Sequence, residues 1–263
     1  MKRFAKKILV SAMTFFTLSA VFADEKGTAI MQRADDKKEP KFTRSMVTME
    51  LKDKSGDTEV RNVIQYGKDI GDKTYVVMDF KGPASVKDTR FLQITNKNSP
   101  DDKWIYLPGL KSVRRVNSSE GSKSFIGTDA TYDDLSTREM DEDEHIYLRD
   151  EKYTVSNGTE YDCEVVKNVP IDKKSSQYAY RIVWVDKKTS IPVHSEMYDK
   201  NDKMVKELEV LKIENISGYD VPMENRLTTI QTGHSTTLKI LKIVVDTPLS
   251  DRVFTQSFLS TGK

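Results

Sequence analysis

The sequence predicts a mainly β (α+β) protein. It reads as a single curved antiparallel sheet, with an N-terminal helix and a short inserted helix as lid over an apolar cavity. Almost everything after Pro40 alternates apolar and polar residues with period two. The alternating segments are separated by short charged stretches such as KDKSGD, GKDIGDK, Asn157-Gly158, DKKTSIP and DKNDK, which suit hairpin turns. Only two stretches read as helix, too few to cover a sheet of this size.

The chain begins with a predicted export signal. Lys2, Arg3, Lys6 and Lys7 precede an apolar run from Ile8 to Val21, and Val21-Phe22-Ala23 has small residues where a signal peptidase needs them. Residues 1–23 are therefore expected to be removed after Ala23, leaving 24–263 as one domain in the periplasm. The residue after that site is Asp24 rather than cysteine, which argues against lipid attachment there. Removing four cations takes the formal charge from +1 to about −3 (+1 − 4), so no basic excess points to nucleic acid. Cys163 is the only cysteine, so the fold must be held by its core and not by disulfides.

The first predicted helix follows. Thr28 is a candidate cap, Ile30, Met31 and Ala34 share a face, and Glu39-Pro40 is the expected end. In the first strand Thr43, Ser45, Val47, Met49 and Leu51 alternate onto one face. Val60, Ile64 and Tyr66 share a face of the second, and Val76, Met78 and Phe80 one of the third. RFLQIT, KWIYL and KSVRRV continue the pattern, and from HIYLRD to TTLKILKIVV it runs on almost unbroken. Alternation alone places Val76, Met78 and Phe80 inward, with Leu92 and Ile94 inward on the neighbouring strand.

Between these two series lies GTDATYDDLSTREMDEDE. Thr128 or Asp129 could cap a helix there, with acidic residues crowding its first turns. A long meander must curl or close, and two helices cover its inner face only in part. An apolar cavity with a movable lid is the expected result. Its lining is expected to include Ile30, Met31, Val47, Met49, Val76, Met78, Phe80, Leu92, Ile94, Ile105, Leu107 and Phe125. Met31, Met46, Met49 and Met78 would suit variable chains, because the thioether side chain adapts its shape.

The chain shows little that suggests catalysis. His145, His194 and His234 stand far apart and form no metal motif. There is no GxSxG elbow, phosphate loop or dinucleotide fingerprint. Asp141 to Glu144 lacks calcium-loop spacing and reads as a solvated acidic loop. Cys163 alternates with Tyr161 and Val165 and reads as a small buried hydrophobe. Arg114-Arg115 either meets an anionic head group or partner, or is a charged strand end. Neither an enzyme nor a cofactor or metal is expected.

Several stretches resemble one bacterial family, the LolA-like outer-membrane lipoprotein-sorting proteins. They are DDKWIYLPGLKSVRRV, SFIGTDATYDDL, VWVDKKTSIPVHSEMYDKNDKMVKELEV, GYDVPMENRLTTIQTGHSTTLKI and the closing FTQSFL, in order along most of the chain after Asp101. The resemblance implies an unclosed barrel with helices acting as a lid, and a cavity that holds acyl chains. It implies an acylated lipoprotein or lipid as cargo, an inner-membrane transporter of the ABC or RND type that loads it, and an outer-membrane acceptor. The protein is expected to act as a monomer. The alternative is a lipid-sensing or RND-transporter-associated accessory protein that binds the same ligand without shuttling it.

Overall fold

The computed structural model describes residues 24–263 apart from Asn98 and Ser175. The expected signal peptide and its cleavage site lie outside the described residues.

The described chain opens with α1 (Glu25–Asp35). Its cap is Asp24 and not Thr28: Asp24 Oδ1 accepts the N–H groups of Lys26 and Gly27 at 3.0 and 3.1 Å. Thr28 is already one turn in, its N–H bonded to the Asp24 carbonyl. The helix stops at Asp35, with the Asp36 N–H returning to the Gln32 carbonyl, so Pro40 does not end it.

Thirteen strands follow: β1 (Phe42–Lys52), β2 (Thr58–Ile70), β3 (Lys73–Gly82), β4 (Arg90–Asn96), β5 (Ser99–Leu107), β6 (Ser112–Arg115), β7 (Asp143–Thr154), β8 (Glu160–Pro170), β9 (Tyr180–Asp186), β10 (Pro192–Tyr198), β11 (Met204–Ile216), β12 (Tyr219–Thr229) and β13 (His234–Val245). α2 (Gln256–Thr261) closes the chain. All thirteen strands make one antiparallel sheet in the order β6-β5-β4-β3-β2-β1-β13-β12-β11-β10-β9-β8-β7. It consists of two meanders, β1 to β6 and β7 to β13, zipped together by β1 against β13. The sheet curves without closing, so β6 and β7 are its two edges and the fold is an unclosed barrel.

Residues directly opposed across an antiparallel pair share a face. The opposed series Val183, Ser195, Leu208, Leu227, Thr236, Leu51 therefore traces the inner face from β9 to β1. Two pieces cover that face. α1 lies over β7 to β9, where Ile30 is buried among Val166, Val183 and Val185. The connection between the two edges, residues 116–142, crosses the open side and buries Val116, Phe125 and Tyr132 among Val47, Met49, Leu51, Phe80, Phe91 and Ile105. Phe125 is central, with ring centroids 4.9 Å from Phe91 and 5.6 Å from Tyr132.

The expected helix within that connection is absent. The connection forms two 3-10 turns, Ser118–Glu120 and Met140–Glu142, and the expected helical stretch contains only the second. The residues that suggested a cap satisfy other backbone groups instead. Thr128 Oγ1 donates to the Phe125 carbonyl, and Thr131 and Asp134 exchange bonds between side chain and N–H. Such local bonds compete with helix formation. Ile126 and Gly127 both adopt positive φ, which turns the chain sharply after Phe125.

The outer face has its own cover. Leu249, Val253, Phe254, Phe258 and Leu259, in and before α2, pack over Val77 and Leu92 with Ile94 at the margin. Leu92 and Ile94 therefore point away from the cavity, correcting the inward assignment. Leu92 opposes Val77, whereas Met78 opposes Phe91. The inward residues of β4 are Phe91 and Gln93. Met46 also lies on the outer face, opposed to Ile64, and is 53% exposed. Farther along, the tip of the β7–β8 hairpin curls over the outer face of β11, where Ser156 donates to Glu209 and Asn157 to the Leu211 carbonyl. Beneath it lie Cys163, Val165 and Trp184.

Candidate functional site

Two cavities lie between the inner face and its cover. The apolar one is about 670 Å³. Met49, Met78, Met197, Leu208, Leu227 and Leu238 form its floor, and Met31 and Ala34 of α1 with Phe125, Ala130, Leu135 and Met140 of the connection form its roof. The second, about 970 Å³, is polar and lies toward the β5–β6 edge. It is lined by Asp101, Lys103, Arg115, Glu139, Asp141 and Glu142, among others. Asp133, Ser136, Thr137, Arg138, Glu139 and Arg181 line both cavities, so segment 133–139 is the partition.

Four of the residues expected from the sequence line the apolar cavity: Met31, Met49, Met78 and Phe125. Val47, Phe80, Ile105 and Leu107 lie on the same inner face, but pack into the core beneath Phe125. Val76 shares the Met78 side of β3 by alternation and is half-buried. Ile30 anchors α1 to β8 and β9 and does not line the cavity. Leu92 and Ile94 are on the other side of the sheet. Arg114 pairs with Glu120 at 2.8 Å, and Arg115 pairs with Asp102 at 2.5 Å. Arg115 also lines the polar cavity. Sequence reasoning missed the far wall, Met197, Leu208, Leu227 and Leu238. These residues do alternate, but only the β1–β13 pairing joins their meander to β1, setting Leu238 opposite Met49.

Two carboxylates of the connection pin it to the rest of the fold. Asp129 Oδ2 accepts from Thr236 Oγ1 at 2.7 Å and contacts His234 Nδ1 at 2.6 Å, while its Oδ1 accepts from Thr229 at 2.6 Å. Asp134 accepts from Lys206 Nζ at 2.5 Å, Tyr178 Oη at 2.7 Å and Gln177 Nε2 at 2.9 Å. Burial, then the Asp134 carboxylate, pushes the Tyr178 hydroxyl far up, so it stays a donor. Lys103 Nζ adds a third tie, to the Tyr132 carbonyl at 2.8 Å and to Ser136 Oγ at 2.5 Å. Its ammonium is pushed down by burial, and the neighbouring Asp101 carboxyl is pushed up by the same cause.

At the polar end, His145 bridges Asn168 Oδ1 at 2.9 Å and the Met140 carbonyl at 3.0 Å. Arg138 grips both oxygens of Asp143 through Nε at 3.0 Å, and one through Nη2 at 2.7 Å. Burial, reinforced by Asp35 and Glu142, raises the Glu139 carboxyl. No group of histidine, cysteine and acidic side chains among the described residues is arranged to hold a metal. No helix among them is long and apolar enough to cross a membrane. The arrangement offers an apolar volume beside a charged one, and suits the binding of an amphiphile.

Comparison with known proteins agrees with this architecture. A family model described as that of an uncharacterized protein matches residues 72–261. No curated protein matches the sequence. Among solved structures, a domain described as of the outer membrane lipoprotein-sorting kind, from Vibrio parahaemolyticus, is 29% identical over 90% of this chain and 99% of its own, with a TM-score of 0.81. A DUF1329 family protein from Desulfovibrio piger is 27% identical over the same shares, with a TM-score of 0.82. A LolA superfamily protein from Nitrosomonas europaea, 16% identical over 88% of this chain and 98% of its own, shares the fold with a TM-score of 0.64. With the unclosed thirteen-stranded sheet and its partly covered inner face, these matches place the chain in the LolA-like outer-membrane lipoprotein-sorting protein family.

Proposed function

We propose that the protein is a periplasmic carrier that shields the acyl chains of a lipoprotein or lipid and moves it from the inner to the outer membrane. The observation that carries this reading is the apolar cavity of about 670 Å³ between the Met49–Met78 floor and the α1–Phe125 roof. Its size falls within the roughly 300–1,000 Å³ of ligand-holding cavities. Each methylene kept from water is worth about 0.8 kcal/mol, so a sixteen-carbon chain needs roughly 13 kcal/mol of shielding to cross the aqueous gap. Five methionines at the cavity, Met31, Met49, Met78, Met140 and Met197, provide walls that adjust to different chains.

The described relative from Vibrio parahaemolyticus supports a sorting role, as does the export signal read in residues 1–23. On this reading an inner-membrane transporter of the ABC or RND type loads the cargo, an outer-membrane acceptor receives it, and a monomer carries it.

Native mass spectrometry of protein purified from the periplasm is expected to show one co-purifying lipid or acylated protein. Titration of delipidated protein with a fluorescent fatty acid is expected to saturate near one site. Folded protein that binds no long-chain probe would overturn the carrier reading.

A further inference from the structure

Arg181 sits on β9 where the apolar and polar cavities meet, and lines both. The Tyr178 ring lies against its guanidinium, 4.9 Å from centroid to Cζ. The carboxylate nearest to it is already engaged, since Arg138 holds both oxygens of Asp143. Arg181 Nη1 stands 4.0 Å from Asp143 Oδ2, which is within ion-pair range but beyond a hydrogen bond. The same nitrogen is buried with no hydrogen-bond partner among the described residues. Asp134, another acid on this wall, is committed to Lys206, Tyr178 and Gln177.

Asp143 is thus shared by two guanidinium groups, and Arg181 Nη1 is left without an acceptor among the described residues. A buried, unmatched donor gains from any acceptor that reaches it, and most from an anionic one. The polar cavity itself mixes the two signs, with Glu139, Asp141 and Glu142 lining it beside Lys103 and Arg115. An anion attached to an apolar chain adds burial of that chain to the contact with Arg181.

We propose that Arg181 anchors an anionic head group, a carboxylate or a phosphate monoester, of an amphiphile whose chain fills the apolar cavity. This rests on the carrier reading and names the chemical class of its cargo. Burial against Tyr178 and Asp143 holds the guanidinium in place before the ligand arrives, so the contact costs little side-chain ordering.

The test is displacement of the uncharged dye N-phenylnaphthylamine from the delipidated protein by amphiphiles with one chain and different heads: laurate, dodecyl phosphate, dodecanol and dodecylamine. At least one of the two anions is expected to displace the dye at about tenfold lower concentration than dodecanol, as a charge-assisted bond to a buried donor requires. Which anion does so identifies the head group. Inorganic phosphate is expected to displace nothing, because it lacks the chain. In Arg181→Met the ratio of anion to alcohol affinity is expected to fall to near one, and Arg181→Lys to restore part of it.

Equal displacement by anions and dodecanol, or a preference for dodecylamine, overturns the proposal in the wild-type protein without any variant. So does a folded Arg181→Met that keeps the anion preference. Failure of the dye and of every amphiphile to bind folded wild-type protein instead removes the carrier reading itself.

Discussion

Asp24 Oδ2 accepts the Tyr147 N–H at 2.6 Å, tying the start of α1 to the free edge of β7. The same carboxylate caps the helix through its other oxygen. One side chain thus folds the first turn of the cover and docks it. Gly27 makes the close approach possible, since a Cβ there would meet the His145 carbonyl oxygen at 2.4 Å. The helix end protects an edge strand that would otherwise offer unpaired backbone groups.

Asp24→Ala removes both the cap and the dock. The cap alone is worth about 1 kcal/mol. Hydrogen exchange in residues 25–36 is expected to rise well above that of β8 and β9, with the sheet unchanged. The bond from the Gly27 N–H, with those from Tyr147 and Lys26, holds the Asp24 carboxyl below its ordinary range. A lowered folded pKa gives stability that is present above the unfolded value and is lost as pH falls through the folded one. Exchange in α1 should therefore quicken first at acid pH in wild type, and show less acid dependence in Asp24→Ala. Equal protection of α1 in both proteins would refute the double role.

Met78 and Phe91 oppose each other across β3 and β4, yet differ in what surrounds them. Met78 is half-buried and lines the cavity, whereas Phe91 is 1% exposed within the core. Met78→Glu is expected to lower fatty-acid affinity at least tenfold, with a melting shift of a few degrees. Phe91→Ala is expected to cost about 3–5 kcal/mol of stability. Thermal melts beside a binding titration separate the two effects. Collapse of Met78→Glu would show that Met78 is ordinary core.

Asp134 and Lys206 are both mostly buried and 2.5 Å apart. Asp134→Ala leaves the ammonium and the Tyr178 hydroxyl without their acceptor, and is expected to cost about 3–5 kcal/mol. Adding Lys206→Met should recover a substantial part, because the stranded charge is gone. Urea unfolding of the two single variants and the double variant measures this. Strictly additive losses would show that the pair is uncoupled.

Cys163 lies at 0% exposure under the β7–β8 hairpin. Burial pushes its thiol up to about 12, with Asp186 adding to the shift. A thiol in this state is neutral and shielded, and only the thiolate is nucleophilic. Ellman's reagent is expected to label no cysteine in native protein at neutral pH, and one per chain in denaturant. Rapid native labelling would show that the hairpin tip opens.

The strands were legible because alternation is a local property. Most observed strands fall on segments where turn residues and period-two patterning agree. The faces were less legible. In β4, Arg90, Phe91, Leu92 and Gln93 are all buried, so no alternation marks an inner side. The cover over Leu92 comes from Phe254, Phe258 and Leu259 at the far end of the chain, and no window around β4 contains it.

The connection shows the same division. Thr128, Asp129 and Asp133-Asp134 have the composition of a helix start, and local sequence cannot say whether such side chains will cap a helix or bond elsewhere. Asp129 is taken by Thr229, His234 and Thr236 of β12 and β13, and Asp134 by Gln177, Tyr178 and Lys206. All of these partners come from the second meander, more than 40 residues along the chain.

By itself the sequence determined an antiparallel meander too large for its helices, and hence a covered cavity, because burial patterning and turn chemistry act over a few residues. Tertiary structure decided which face the cavity occupies, that an irregular connection and not a helix spans the open edges, and that Arg181 meets both cavities. Those outcomes depend on the β1–β13 pairing and on charge partners contributed by distant strands, and contacts of that range leave no periodic trace in the chain.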